Sequence, residues 1–271
     1  MFEPSDDLQR LVIHIEQTPG ILFRAHSPKS SGTTEATHVS STGADSKHLD
    51  VLQKKPEVAK KLIAHHLTTW NRSNKDNFMS WTNSLLYALQ HAIRRQATDI
   101  PPSRPEDVKI SILDTRLLRG AFMPVLALLE AYDITVRKPR AEMVIDRKWF
   151  YGEYLSQGML DIPEGAMITI SLQQLIDHGL YKFHPCFANK AYNANLYTRV
   201  EMLRIDGSFR SSRTQLPTTR EVELAIALAE GCCANPRFRP VLFACLLSLK
   251  LRGRKVEEIL EAYSKTLFSK C

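Results

Sequence analysis

A carboxylate set just ahead of a glycine turn and a buried strand lies at the rim of a sheet, where a catalytic acid can meet a ligand. Glu153 fits that description. The chain runs Glu153-Tyr154-Leu155-Ser156-Gln157-Gly158, and then Ile162-Pro163 and a β-prone run at 166–171 follow. Two earlier segments carry polar side chains that could share such a site. Arg24 ends the apolar run Ile21-Leu22-Phe23, and Ser80 and Thr82 flank Trp81. Taken singly, each has a plain reading: a strand-end arginine as a surface ion-pair residue, a serine-x-threonine triplet as an ordinary strand ahead of the helix cap Ser84, and a glutamate opening a turn as a solvated group. Their order along the chain gives them joint meaning.

Other chemistry-bearing residues are easier to set aside. His26 lies two residues after Arg24 on an extended strand and should share its face, either joining the site or capping the loop beyond it. His65 and His66 are adjacent on a predicted helix and diverge by about 100 degrees, so they cannot form the one-face pair of a metal site. The five cysteines all lie in the second half and include no Cys-x-x-Cys pair. They read as reduced thiols, with Cys232-Cys233 a buried pair of small apolar residues because adjacent cysteines make poor disulfides. No metal site is expected.

The elements that must position these groups follow from periodicity and breakers. Residues 8–17 suit a short helix, which Pro19-Gly20 ends before the first strand at Ile21. The Ser-, Thr- and Gly-rich stretch 27–46 has no periodicity and reads as a long surface loop. Pro56 and Glu57 open a helix with apolar residues at Val58, Leu62, Ile63, Leu67 and Trp70. Ser84 caps a second helix with a broad apolar face ending at Arg94 and Arg95. A strand at 108–113 and a helix over 122–132 come next, and Ala166 opens another strand. Beyond His184 the spacing turns helical over 220–230, 240–251 and 255–268, with Gly231 and Gly253 as stops. The expected class is α+β, with a sheet core and flanking helices in residues 1–185 and a helical C-terminal region in 186–271.

With 271 residues, 44% of them hydrophobic and 24% charged, the chain has the composition of a folded globular protein. Its net charge of +7 would attract an anionic ligand such as a dinucleotide or a nucleic-acid backbone. The basic cluster Arg237, Arg239, Lys250, Arg252, Arg254 and Lys255 lacks the aromatic interleaving of a single-strand groove and equally serves solubility. The acidic start has neither the basic nor the apolar region of a secretory signal, and the longest apolar run, 241–249, is too short to cross a bilayer. The expected setting is intracellular, cytoplasmic or nuclear, without a membrane partner.

Arg24 at the end of an apolar strand, Ser80-Trp81-Thr82, and Glu153 followed by Gly158 and Ile162-Pro163 together resemble the arginine-serine-glutamate class of ADP-ribosyltransferases. That class includes the cholera-toxin-like and pierisin-like enzymes and a related group of uncharacterised fungal domains. The run 110–115 looks like the strand that follows the serine motif, and the resemblance covers roughly the first two-thirds of the chain. It implies an ADP-ribosyltransferase-like split β-sheet and an enzyme that uses NAD as co-substrate. Such an enzyme releases nicotinamide and transfers ADP-ribose to a protein or nucleic-acid acceptor.

The resemblance also implies roles. Breaking an N-glycosidic bond passes through an oxocarbenium-like transition state, and Glu153 is the carboxylate that would stabilise it. Arg24 would organise the site by hydrogen-bonding the strand core or the NAD phosphates. Ser80 and Thr82 would brace the glutamate, and the backbone at Ala25 would bind the nicotinamide amide. His26, on the face of Arg24, could then touch the nicotinamide site or cap the loop, and Trp81 departs from the family's serine motif with a bulk that would need to fit against the ligand or the core. Arginine-modifying members carry an acidic residue or glutamine two positions before the catalytic glutamate, where this chain has Tyr151. Water as acceptor would make the protein an NAD glycohydrolase, and a non-catalytic interaction module is the alternative from another class.

Overall fold

The computed structural model describes residues 1–44, 50–68, 76–136, 144, 147–188 and 217–249. Their class is α+β. The strands are β1 (Ile21–His26), β2 (Thr33–Thr34), β3 (His38–Ser40), β4 (Phe78–Thr82), β5 (Lys109–Asp114), β6 (Met123–Pro124), β7 (Glu153–Gln157), β8 (Met159–Asp161) and β9 (Met167–Ser171). The helices are α1 (Val12–Glu16), α2 (Pro56–Thr68), α3 (Leu85–Thr98), α4 (Val125–Ala131), α5 (Leu172–Asp177), α6 (Leu180–Phe183), α7 (Thr219–Cys232) and α8 (Arg239–Leu247). One sheet has the order β6-β7-β4-β1-β5-β9 and the other the order β2-β3-β8.

Two compact units are each assembled from separate stretches of chain. The first comprises Met1–Arg24, Lys29–Asn83 and Ile112–Met167. Its strands β4 and β7 pair antiparallel along their full length, from Phe78 opposite Gln157 to Thr82 opposite Glu153. Because directly opposed residues share a face and neighbours alternate, each side of this ladder feeds its own core. Phe78, Leu155 and Met123 bury on one side with Ala59 and Ile63 of α2 and Val125, Leu128 and Leu129 of α4. Leu22, Met79 and Trp81 bury on the other with Val39 of β3 and Leu160 of β8. Each buried Val, Leu, Ile, Phe or Met among these contributes about 1.5–3 kcal/mol by leaving water. The stretch 27–46 is therefore not all loop, since β2 and β3 form within it. Val39 opposite Leu160 ties β3 to β8, and that distant partner is what makes three residues a strand.

Two buried polar devices hold this unit at its edges. Gln157, 6% exposed at the end of β7, donates to the Met1 carbonyl and to Asp50 Oδ1 and accepts from the Val51 amide. One amide group thus seats the amino terminus and the turn before α2. Asp114, 1% exposed at the end of β5, accepts from the Nε and Nη2 groups of the Arg116 guanidinium at 2.9 and 2.8 Å and also from the Arg116 amide.

The second unit comprises Ala25–Pro28, Ser84–Ser111 and Ile168–Cys271. Helix α3 starts where its cap predicts, with the Ser84 hydroxyl accepting from the Tyr87 amide, and it buries Leu85, Ala88, Leu89, Ala92 and Ile93 at helical spacing. Capping boxes start α5, through Ser171 and Gln174, and α7, through Thr218 and Glu221. Gly231 does not stop α7, which runs on to Cys232. Its missing side chain makes room for the His178 imidazole, which a Cβ would approach to 2.2 Å. The helices expected over 220–230 and 240–251 correspond to α7 and α8, and the one expected over 255–268 lies outside the described residues. Among the described residues no helix is long and apolar enough to cross a membrane.

Candidate functional site

The three segments singled out in the sequence occupy adjacent strands at the middle of the six-stranded sheet. Their order is β7, carrying Glu153, then β4, carrying Ser80 and Thr82, then β1, carrying Arg24. Thr82 stands opposite both Glu153 on one side and Phe23 on the other. Glu153 is the first residue of β7, placed there by Gly152, whose φ of 75° turns the chain and whose carbonyl accepts the Asn83 amide at 3.0 Å. A Cβ at Gly152 would also meet the Asn83 Oδ1 at 2.3 Å, so the glycine meets two requirements at once.

Alternation along the strands sorts the side chains into two groups. Ser80, Thr82 and Glu153 share one face, with Ser80 diagonal to Glu153. Thr82 is buried, Ser80 is exposed, and Glu153 is half-buried. Arg24 belongs to the other face with Trp81. Its guanidinium donates to the Ser80 carbonyl at 2.9 Å, to Thr34 Oγ1 at 3.2 Å and to the Ser31 carbonyl at 3.3 Å, and it lies 5.9 Å from the centre of the Trp81 ring. Of the two roles the resemblance implies for Arg24, this geometry serves the strand core. The arginine fastens β4 and the 31–34 segment from behind, while the glutamate and serine stand in front.

The front face holds a group that the sequence reading passed over. His66, on α2, places Nε2 2.9 Å from Ser80 Oγ and Nδ1 2.9 Å from Asp76 Oδ2. The imidazole also meets the Phe78 ring edge-on at 5.5 Å, which fixes its plane. Asp76 is held in turn: its Oδ1 accepts the Phe78 amide at 2.7 Å, and its carbonyl accepts the Gly43 amide at 2.9 Å. Burial pushes the Asp76 carboxyl up, but the His66 hydrogen bond and charge, the Phe78 amide and His65 outweigh it. The net result lies below the ordinary carboxylate value. A signal was available in principle, since α2 at helical spacing puts one of the two adjacent histidines toward the sheet. Nothing local paired it with Ser80.

The remaining expected site residues have other placements. Trp81 is 2% exposed, meets Phe122 edge-on at 5.6 Å and donates its Nε1–H to Ser156 Oγ at 2.9 Å. Its indole is therefore a core group, not a surface on which a ligand stacks. His26 is 8% exposed, and its Nε2 lies 3.0 Å from Ser111 Oγ, which is 2.9 Å from Thr169 Oγ1. That chain of hydrogen bonds satisfies the buried imidazole. Ala25 is half-buried in β1. Tyr151 is exposed two positions before Glu153. Cys232 and Cys233 are buried, and burial pushes their thiols up to about 12 and about 11, which removes thiolate chemistry at neutral pH. Among the described residues no group of three histidine, cysteine or acidic side chains could hold a metal ion.

Residues 17–175 match the model of a family described as a domain of unknown function, DUF7587. The match spans more than half of the chain, and the chain belongs to that family. It runs from just before β1 to α5 and so takes in Arg24, His66, Asp76, Ser80, Thr82 and Glu153, while α6 to α8 lie beyond it. No curated protein and no solved structure is detectably similar to the chain.

Proposed function

We propose that this member of the DUF7587 family is an ADP-ribosyltransferase that cleaves nicotinamide from NAD and passes ADP-ribose to a protein or nucleic-acid acceptor. One observation carries the reading: Glu153, Ser80-x-Thr82 and Arg24 fall on three neighbouring strands, with Thr82 opposite Glu153 and the Arg24 guanidinium on the Ser80 carbonyl. Three motifs far apart in sequence thus meet in one patch of sheet.

In this reading the Glu153 carboxylate faces the nicotinamide ribose and stabilises the positive charge that grows at the anomeric carbon as the glycosidic bond lengthens. Thr82 and Ser80 supply hydroxyls on the same face, and Thr82, being buried, sets the floor beside the carboxylate. Arg24 is a positioning residue that keeps β4 in register with the 31–34 segment behind it. With Tyr151 where a second carboxylate would guide an arginine acceptor, another acceptor is favoured, and water in that place gives NAD glycohydrolase chemistry. The setting is intracellular, cytoplasmic or nuclear, in keeping with buried reduced thiols.

The experiment is incubation with NAD labelled in its adenylate, with cell extract or DNA as acceptor. Label fixed to protein or nucleic acid supports transfer. Label recovered only as free ADP-ribose supports the glycohydrolase, and intact NAD with a folded protein and every acceptor sinks both.

A further inference from the structure

We infer that Ser80 is an activated nucleophile: Asp76, His66 and Ser80 form a hydrogen-bonded relay that equips the protein for acyl transfer from small carboxylic esters, a second activity that needs neither NAD nor Glu153. The two imidazole nitrogens are used as such chemistry requires. Nδ1 faces Asp76 Oδ2 and Nε2 faces Ser80 Oγ, both at 2.9 Å. A carboxylate on Nδ1 keeps the proton there and leaves the Nε2 lone pair aimed at the hydroxyl. The base and its orienter are sheltered, with side chains 13% and 20% exposed, whereas Ser80 is exposed, so a substrate can reach the nucleophile without displacing the relay.

The relay is also rigid at each point. Phe78 packs edge-on to the imidazole, the Phe78 amide holds the second carboxylate oxygen, and the Gly43 amide holds the Asp76 carbonyl. Gly43 has to be glycine for that last contact, because a Cβ would come within 2.8 Å of the Asp76 carbonyl oxygen. Ser80 itself is fixed through its own carbonyl, which accepts from Arg24. An exposed serine that merely decorated a strand would need none of this support.

The steps balance within the site, with water as the only co-reactant. Ser80 Oγ attacks the ester carbonyl carbon and passes its proton to His66 Nε2. The carbon–alkoxide bond breaks, and the departing alkoxide takes that proton from Nε2, leaving an acyl ester on Ser80. Water then attacks the acyl carbon, again giving a proton to Nε2. The carboxylic acid leaves and its bond to Oγ breaks, so that the proton returns to Ser80.

The test uses a fluorophosphonate probe on the full chain without NAD, read by intact mass and by mapping of the modified peptide. The expected result is one adduct, at Ser80, at least about a hundredfold faster than on the denatured protein, absent in Ser80→Ala and slowed to a similar extent in His66→Gln. Both variants are checked by their melting curves, and Asp76→Asn serves as a second probe of the relay if His66→Gln fails to fold. A folded wild type that takes no probe overturns the inference. So does labelling no faster than in denatured protein, labelling at another residue, or labelling unchanged in folded His66→Gln or Asp76→Asn.

Discussion

Replacing Arg24 by lysine separates a brace from a ligand group. Lysine keeps the charge and one donor able to reach the Ser80 carbonyl, but it loses the fork that serves Thr34 and Ser31 and the flat group beside Trp81. The two lost hydrogen bonds are long, at 3.2 and 3.3 Å, and are worth about 0.5–1 kcal/mol each. The contact with the indole adds about 0.5 kcal/mol. The sum, about 1.5–2.5 kcal/mol, should lower the melting temperature by roughly 3–5 °C in a chain of this size. Arg24→Ala, which also gives up the 2.9 Å bond, should lose about 3–4 kcal/mol. Urea and thermal unfolding of the three proteins, followed by tryptophan fluorescence, measure this directly. The reasoning fails if Arg24→Lys melts within about 1 °C of the wild type while its NAD turnover collapses, because the arginine would then act on the ligand.

Three further outcomes follow from the same geometry. The Asp76 carboxyl is held below its ordinary value, so the folded state binds its proton less readily than the unfolded chain. Its contribution is full above the unfolded value of about 3.9 and is lost as pH falls through the folded value. The stability gap between wild type and Asp76→Asn should therefore be open at pH 6 and narrow by pH 3 in urea titrations, and a constant gap would contradict it. Trp81→Phe removes the donor to buried Ser156 and leaves a void, at a cost of about 2–4 kcal/mol of unfolding free energy, whereas an unchanged midpoint would place the indole outside the core. Gly152→Ala forces a positive φ and a clash with Asn83, so it should reduce both stability and NAD turnover, read by melting and by nicotinamide release.

What the sequence made legible was local. The Ser84 cap, the Pro56 helix start and the apolar spacing of α3 state themselves within a few residues, and the structure has all three. What it hid was set by distant partners. Residues 38–40 are a strand because β8 pairs with them, residues 33–34 pair in turn with 38–40, and nothing in a Ser/Thr/Gly-rich stretch announces a partner about 120 residues away. The same holds at the site. Arg24, Ser80 and Glu153 are readable as an ordered set, but register alone decides that Glu153 shares a face with Ser80 while Arg24 works from behind. The His65-His66 pair shows only that two adjacent helical histidines diverge, because the partners of His66, Asp76 and Ser80, come from beyond the helix.

The central claim rests on one carboxylate, and nicotinamide release from NAD by the wild type beside Glu153→Gln, matched for melting temperature, tests it most directly. Glutamine keeps the shape and removes the charge. A wild-type rate that falls at least about a hundredfold is the predicted result. Release that survives in Glu153→Gln would contradict the account, as would a folded wild type that releases none with protein extract, DNA or water as acceptor.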